Sequence, residues 1–293
     1  MKHFFVSFAA LALIAAGCSK ESVEQETEQV LAPVTVQVDG FDVSQRDMPD
    51  VTRGTAVASY SSVKTLTLAF FKDDGTEAYN HSQLRDDAST YTTFGEFSLS
   101  LPIGSYTTIV IAHTGTVPFT IASPTVATCG DIRLPDVFVA TQAVNVTSTA
   151  AVNLSAELNR VVARLGVTST DNRTADAAKL RMTFAKGGRN FNPSTGLATT
   201  NTGFANTVTF SQAVGATVSV ASLLFLASDE QTMNATLETL DADDNVLFTK
   251  TVNNIPLKRN RTTILSGKLF SASATASSIT INDGWLKNSN MDF

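Results

Sequence analysis

Cysteine, histidine and tryptophan are scarce in this chain of 293 residues, which contains two, three and one of them, respectively. His3 lies in the N-terminal apolar segment, so His81 and His113 are the histidines left for a general base or a metal ligand. Neither lies in an H-E-x-x-H pattern, no serine lies in a G-x-S-x-G elbow, and there is no glycine-rich phosphate loop. We therefore expect no enzyme active site, no metal site and no cofactor.

Basic side chains and long apolar runs are also few. The chain has 21 Lys and Arg against 27 Asp and Glu, which gives a formal net charge of −6. A nucleic-acid partner is therefore not expected, because no basic surface is available to neutralise phosphates. The apolar run from Phe4 to Gly17 is shorter than the roughly 20 residues of a transmembrane helix. It is typical of a signal peptide instead.

The apolar run ends in LIAAGC, residues 13–18, where small residues lead directly into a cysteine. This pattern resembles the lipobox of bacterial lipoproteins, in which the cysteine is acylated and becomes the first residue after cleavage. We predict a signal peptide over residues 1–17, lipidation of Cys18, and a lipid-anchored precursor exposed on the outer membrane. Several acyl chains hold a protein on a membrane durably. Cys129 then has no partner, and we expect it to be a buried structural thiol.

Residues 18–32 form an acidic segment that we interpret as a tether. Residues 19–31 contain four glutamates, one lysine and no aromatic residue. Such a composition buries too little apolar surface to offset the entropy of ordering. Acidic residues directly after a lipidated cysteine also resemble the signals that direct lipoproteins of Bacteroidetes to the cell surface. A plain spacer is the alternative.

From Pro33 onward, short runs alternate apolar and polar residues with a period of two, as in Val34, Val36 and Val38. This period predicts strands with one face on a core, and turn sequences separate them. Many short strands without βαβ alternation favour an all-β fold of two tandem β-sandwiches. We predict domains over residues 33–158 and 159–293. The only helical patterns, near residue 140 and over 171–180, predict short helices at most.

The loop after the first predicted strand, 34–41, contains Arg46 and Arg53 among polar residues and a proline. Such a loop is exposed and easily cut by a protease. An ordinary loop with two solvated arginines is the alternative.

Five segments in order give the chain a resemblance to a known family: LIAAGC; the TRGTA loop before a strand that runs into FFKDDGT; LPIGSYTTIVIA; LNRVVARLGV; and IPLKRNRTTILSGKLF. Over nearly all of residues 10–285 the chain resembles the fimbrillin-like lipoproteins of Bacteroidetes, which are type V pilus subunits and fimbrial anchor subunits. The resemblance implies two transthyretin-like β-sandwich domains and a role in cell adhesion.

In the polymerising members of that family, an arginine-specific protease cuts the loop after the first strand, and a terminal strand of the next subunit fills the vacated groove. The resemblance places the cleavage best at Arg53 and second at Arg46. It makes residues 277–293 the candidate donor strand, with Ile279 and Ile281 alternating before Trp285. The implied partners are other fimbrial subunits, in a homo- or heteropolymer, with a surface ligand of a host or bacterial cell. A final strand packed in its own domain is the alternative.

Three further functions stay open at this point. The chain could be a lipid-retained anchor or tip subunit that keeps its first strand. It could be a glycan-binding surface lipoprotein, although one tryptophan and four tyrosines supply few stacking platforms. It could be a hydrolase on a β-sandwich, but the paired acids Asp86 and Asp87 would face opposite sides of a strand.

Overall fold

The computed structural model describes residues 30–41, 57–271 and 280–282. Within these ranges the chain is almost entirely β-structure, with two 3₁₀ helices of three residues and no α-helix. None of the described residues forms a helix long and apolar enough to cross a membrane. The all-β fold class predicted from the period-two pattern is confirmed.

The strands of the first half are β1 (Leu31–Phe41), β2 (Thr65–Lys72), β3 (Glu77–Leu84), β4 (Glu96–Pro102), β5 (Gly104–His113), β6 (Thr120–Ser123), β7 (Val126–Thr128), β8 (Val137–Val146) and β9 (Val152–Arg160). Those of the second half are β10 (Ala163–Ser169), β11 (Lys179–Phe184), β12 (Asn190–Asn192), β13 (Leu197–Ala198), β14 (Phe204–Thr209), β15 (Ser219–Leu224), β16 (Glu230–Leu240), β17 (Val246–Lys258), β18 (Thr262–Gly267) and β19 (Thr280–Asn282). The 3₁₀ helices are Val57–Ser59 and Ala88–Thr90.

Seven strands of the first half form one folded-over sheet in the order β3-β2-β5-β8-β9-β1-β4. Strands β8 and β9 are joined only at Phe138 with Arg160 and at Val139 with Asn159. Beyond this corner they diverge, so that β3-β2-β5-β8 and β9-β1-β4 face each other. Their inner side chains share one core, which is the packing of a β-sandwich.

The second half contains two four-stranded sheets, β15-β10-β18-β19 and β14-β11-β16-β17. Their buried residues form a second core, which includes Leu165, Met182, Leu237 and Leu265. Strand β10 lies between β15 and β18, and it runs parallel to β18 over six residues. The two halves therefore have separate cores with a similar two-sheet arrangement.

A third apolar cluster joins the halves. It contains Phe71 and Ile111 from the first half with Val162, Phe191 and Phe225 from the second. In a small sheet, β7 of the first half also pairs with β12 of the second. The predicted boundary between residues 158 and 159 falls two residues before the end of β9, and the chain then crosses through buried residues at 161 and 162.

Neither segment with a weak helical pattern forms a helix, which agrees with the limit of short helices at most set from the sequence. The segment near residue 140 belongs to β8, which pairs with β5 over ten positions, so long-range pairing overrides its weak helical pattern. In the other segment, Arg173 donates a hydrogen bond to the carbonyl of Ala177 at 2.8 Å. The Asp171 carboxylate accepts from the amides of Leu269 and Phe270 at 2.8 and 3.0 Å. These side-chain bonds hold residues 171–178 in an irregular path until β11 begins.

Candidate strand-exchange groove

Strand β1 lies inside its sheet, not at its edge. It runs parallel to β9 and antiparallel to β4, with seven residue pairs on each side. Residues at positions 34–37 of β1 are therefore paired with both neighbours, for example Val36 with Leu154 and with Phe97. Removing β1 would leave the hydrogen-bonding edges of β9 and β4 facing an empty slot.

The side chains of β1 alternate between the core and the surface. Ala32, Val34, Val36 and Val38 are at most 2% exposed and belong to the core of the first half. The intervening residues at 33, 35 and 37 are exposed. This confirms the strand predicted from the alternation, and it means that any strand replacing β1 must supply small apolar side chains at every second position.

A tight turn before β4 is built around Gly95 and closes one end of the slot. Gly95 has φ of +99°, and a Cβ atom added to it would lie 2.5 Å from Cγ1 of Val57. Its carbonyl accepts a hydrogen bond from the amide of Val38 at 3.0 Å. The buried Gln83 holds both sides of the turn, accepting from the Gly95 amide at 2.8 Å and donating to the Glu96 carbonyl at 2.7 Å.

Arg85 anchors the chain where the described residues resume after β1. Its guanidinium donates to the carbonyls of Val57, Ala58, Tyr60 and Val63 at 2.6–3.0 Å. The same group lies 4.1 Å from the centre of the Phe94 ring. Burial lowers the pKa of Arg85, whereas the nearby Tyr91 and Asp86 raise it. Sequence reasoning missed this anchor, because the bonds join residues more than 20 positions apart.

Most of the predicted functional residues lie outside the described residues: Cys18, Arg46, Arg53, Ile279 and Trp285. Both arginines belong to the segment between the end of β1 at Phe41 and the start of the next described stretch at Val57. The structure thus places the two ends of the predicted processing loop, one on β1 and the other on the segment that Arg85 holds.

Ile281, the remaining residue of the predicted donor strand, lies in β19. This strand pairs antiparallel with β18 through three positions, Ile281 opposite Leu265. It is the last strand of its sheet, so β18 is its one neighbour. Residues 280–282 therefore pair with their own chain, at the edge of the second half.

Of the described thiol and imidazole side chains, Cys129 and His113 lie outside β1 and its two neighbouring strands. Cys129 is a free, half-buried cysteine, and burial raises the pKa of its thiol. His113 is fully buried, and burial lowers its pKa to about 4. His81 lies on β3, 6.4 Å between ring centres from Phe97 of β4. In the part of the chain that the structure describes, no group of three or more His, Cys, Asp or Glu residues could hold a metal ion.

The fold is similar to solved structures from Bacteroidetes. A candidate adhesin of Bacteroides ovatus is 11% identical, with 82% of this chain and 88% of that chain covered and a TM-score of 0.49. A candidate cell adhesion protein of Bacteroides fragilis is 9% identical, with 88% and 99% covered and a TM-score of 0.46. The fimbrial anchor protein Mfa2 of Porphyromonas gingivalis is 11% identical, with 80% and 90% covered and a TM-score of 0.45.

The comparison with curated proteins gave no match. The model of a family of unknown function, DUF6562, matches residues 118–292. This match covers more than half of the chain, and the chain belongs to that family.

Proposed function

We propose that this protein is a structural, non-enzymatic subunit of a type V-like fimbria that assembles by strand exchange and contributes to cell adhesion. The observation that carries the proposal is the position of β1. The strand is central in its sheet, its buried side chains are small and regularly spaced, and it precedes the segment that contains Arg46 and Arg53.

In this proposal, cleavage after Arg53 or Arg46 separates β1 from the rest of the chain. The strand then leaves with the lipid on Cys18, and the unpaired edges of β9 and β4 become available to another extended segment. The contacts of Arg85 support this order of events, because they hold residues 57–63 without using any atom of β1. The new N-terminus would stay anchored beside the open slot.

The proposed occupant of the slot is the segment 277–293 of a neighbouring subunit. Within its own chain, residues 280–282 make only a three-residue pairing at a sheet edge. The seven pairs available on each side of the slot would replace a small contact with a larger one. The partners in this proposal are other fimbrial subunits, and the protein is located at the outer membrane and in the fimbria.

A lipid-retained anchor or tip subunit is the second candidate function. It is favoured by the pairing of β1 within its own chain, where residues 34–37 are paired on both sides. In that case β1 would be a permanent part of the first half, and Cys18 would keep the protein on the membrane.

N-terminal sequencing and intact-mass measurement of the protein recovered from the surface of the cells that produce it will separate these functions. A chain that starts at Gly54 or Asp47 and carries no acyl mass supports a polymerising subunit. A chain that starts at acylated Cys18 and retains β1 contradicts strand exchange and assigns the anchor role.

A pair of variants tests the cleavage itself. The double variant Arg46→Ala with Arg53→Ala should keep β1 and abolish polymers that resist dissociation in detergent. Arg133→Ala, which changes an exposed arginine in a different loop, is the matched control and should be processed normally. Equal processing of both variants would refute cleavage at these arginines.

A further inference from the structure

Residues 269–271, which follow β18, are held firmly to the body of the second half. The side chains of Leu269 and Phe270 are 2% and 5% exposed and belong to the second core. The Phe270 ring also packs edge-on against Phe210, with 5.6 Å between the ring centres. Residues 272–293, which we call the C-terminal tail, follow directly in the sequence. Residues 269–271 are therefore the root of the tail.

One carboxylate, that of Asp171, binds all three residues of the root. Its oxygens accept hydrogen bonds from the amides of Leu269 and Phe270 at 2.8 and 3.0 Å and from the Ser271 hydroxyl at 3.1 Å. Hydrogen bonds to an ionised acceptor are roughly twice as strong as those between neutral groups. Asp171 therefore attaches the root through three strong bonds, from a position 98–100 residues earlier in the chain.

Two strands of the other sheet hold the root by its carbonyl groups. The buried Thr239 hydroxyl on β16 donates to the Leu269 carbonyl at 2.9 Å. The Lys250 ammonium on β17 donates to the Ser271 carbonyl at 3.1 Å. Asp171 itself lies between β10 and β11. The root is thus attached to elements of both sheets of the second half, in addition to its covalent link to β18.

The root lies at the end of the second half that is remote from the first half. Strand β10 begins at Ala163, directly after the junction residues at 161 and 162, and β18 runs parallel to it. Both strands therefore lead away from the junction, over about 20 Å at roughly 3.3 Å per residue. The tail starts at this outer end of the second half.

A tail that is bound by a neighbouring subunit transmits any pull on the fibre to its root. Strand β18 is the next element along the chain, and once β19 has left, β10 is its one sheet neighbour. Without the root attachments, the six residue pairs between β18 and β10 would have to resist this pull. The bonds from Asp171, Thr239 and Lys250 take up the pull before it reaches β18.

We propose that Asp171 is a positioning residue that anchors the root, so that a second subunit can bind and pull the tail without unravelling the second half. This role rests on the proposed function, in which the tail leaves β18 and enters the slot of the next subunit. The anchoring bonds use no atom of the tail, because they join residues 171, 239 and 250 to residues 269–271. The anchor therefore works both while residues 280–282 pair with β18 and after they have left it.

Single-molecule pulling of the full chain tests the anchor, because it applies force at a chosen point of the molecule. One handle is attached at the exposed Thr200 of the second half. The other is attached either at Phe293, which pulls through the tail, or at the exposed Asp243 in the turn between β16 and β17. The measured quantity is the lifetime of the folded second half at constant force.

The test variants are Asp171→Ala, which removes all three bonds to the root, and Asp171→Asn, which keeps one acceptor oxygen. Ser169→Ala is the matched control in the same half. The Ser169 hydroxyl accepts a hydrogen bond from the Val218 amide at 2.7 Å, so this variant loses a buried bond that does not involve the root.

The proposal expects Asp171→Ala to shorten the lifetime under a pull through the tail by about tenfold, which corresponds to about 1.4 kcal/mol. The lifetime under a pull through Asp243 should change much less. Asp171→Asn should have a smaller effect with the same dependence on the handle, and it keeps the test valid if Asp171→Ala does not fold. Ser169→Ala should shorten both lifetimes to the same extent.

Two results would overturn the proposal. An unchanged lifetime under a pull through the tail would show that Asp171 does not anchor the root. Equal shortening with both handles would show that Asp171 only stabilises the fold. The measurement requires neither a partner subunit nor cleavage at Arg46 or Arg53, so it can contradict the anchor while strand exchange stands. Strand exchange is contradicted separately, by recovery of a chain that starts at acylated Cys18 and retains β1.

Discussion

The strands at the two ends of the described chain differ in almost every respect. Strand β1 has 11 residues, lies inside its sheet and pairs with two neighbours over seven positions each. Strand β19 has three residues, lies at a sheet edge and pairs with one neighbour. The first half therefore holds its terminal strand by backbone pairing on two sides, whereas the second half pairs with β19 on one side.

This difference indicates how much stability the protein loses when each strand leaves its sheet. A strand that pairs on both sides leaves a specific, deep slot when it is removed, and the slot must be filled for the domain to remain stable. A short edge strand can detach from its own sheet with little loss. The following predictions test that asymmetry from the largest expected effect to the smallest.

Removing β1 should have the largest effect. A chain that begins at Gly54 loses the buried side chains of three valines, at about 1.5–3 kcal/mol each, or roughly 5–9 kcal/mol in total. This approaches the whole stability of many domains. We expect thermal unfolding of the first half to occur at much lower temperature, and a synthetic peptide of residues 31–41 to restore it. A peptide with Val34 and Val36 both changed to Asp is the control and should not restore stability.

Replacing Arg85 should loosen the segment that follows the processing loop. Arg85→Met removes four hydrogen bonds to carbonyls of residues 57–63, of which Val57 and Tyr60 keep a backbone donor. We expect a loss of about 4 kcal/mol in the free energy of unfolding. Denaturant unfolding measures this loss, and hydrogen exchange should show faster exchange at residues 57–63. Arg133→Met, at an exposed position, should change neither. Unchanged exchange in Arg85→Met would contradict the anchoring role.

Acid should weaken the junction between the halves, where the buried His113 ring packs against Phe119. The pKa of His113 is about 4 in the folded chain and about 6.5 when unfolded. The unfolded state thus binds the proton first, so the stability due to neutral His113 is complete above pH 6.5 and falls progressively toward pH 4. The expected loss is about 3 kcal/mol.

Chemical denaturation between pH 7 and pH 4 measures this dependence, and His113→Leu should remove most of it. Carboxylates with lowered pKa, such as Asp74, titrate at lower pH and remain in both proteins. The difference between the two curves therefore isolates His113. Identical pH profiles would show that the imidazole is not the responsible group.

A methyl group at Gly95 should disturb the turn beside β1. Gly95→Ala places a Cβ atom against Val57 at a positive φ, and we expect a loss of about 3 kcal/mol. Gly75 also has a positive φ, +82°, but no atom lies within 4 Å of an added Cβ. Gly75→Ala should therefore cost only about 1 kcal/mol. Equal losses in the two variants, measured by urea unfolding, would show that contact with Val57 is unimportant.

Truncation after Ser271 should have the smallest effect of the series. It removes β19 and its three pairings and keeps the described residues of the second core. We expect the free energy of unfolding to fall by about 1 kcal/mol or less. If this truncation lowers the free energy of unfolding as much as the removal of β1 does, the two terminal strands contribute equally and the inferred difference between them is wrong.

The local pattern of the sequence determined the strand character of most of the chain. The alternation of Val34, Val36 and Val38 predicted both the strand and its buried face, because side chains in a strand point to opposite sides in turn. Near residue 140 the local pattern left the structure open, and ten pairs with β5 outweigh its weak helical character. The sequence alone also shows that histidine and cysteine are scarce and that Cys18 follows the apolar run.

Only the tertiary structure decided what surrounds each strand. Nothing in the residues of β1 indicates that its parallel neighbour is β9, more than 100 positions away, or that Arg85 secures the segment after it. A cleft lined by β8, β9 and the turns at 193–196 and 259–260 likewise depends on contacts between the two halves. Alternation depends on the backbone of one strand, whereas partners and clefts depend on the packing energy of the whole chain, which no local window contains.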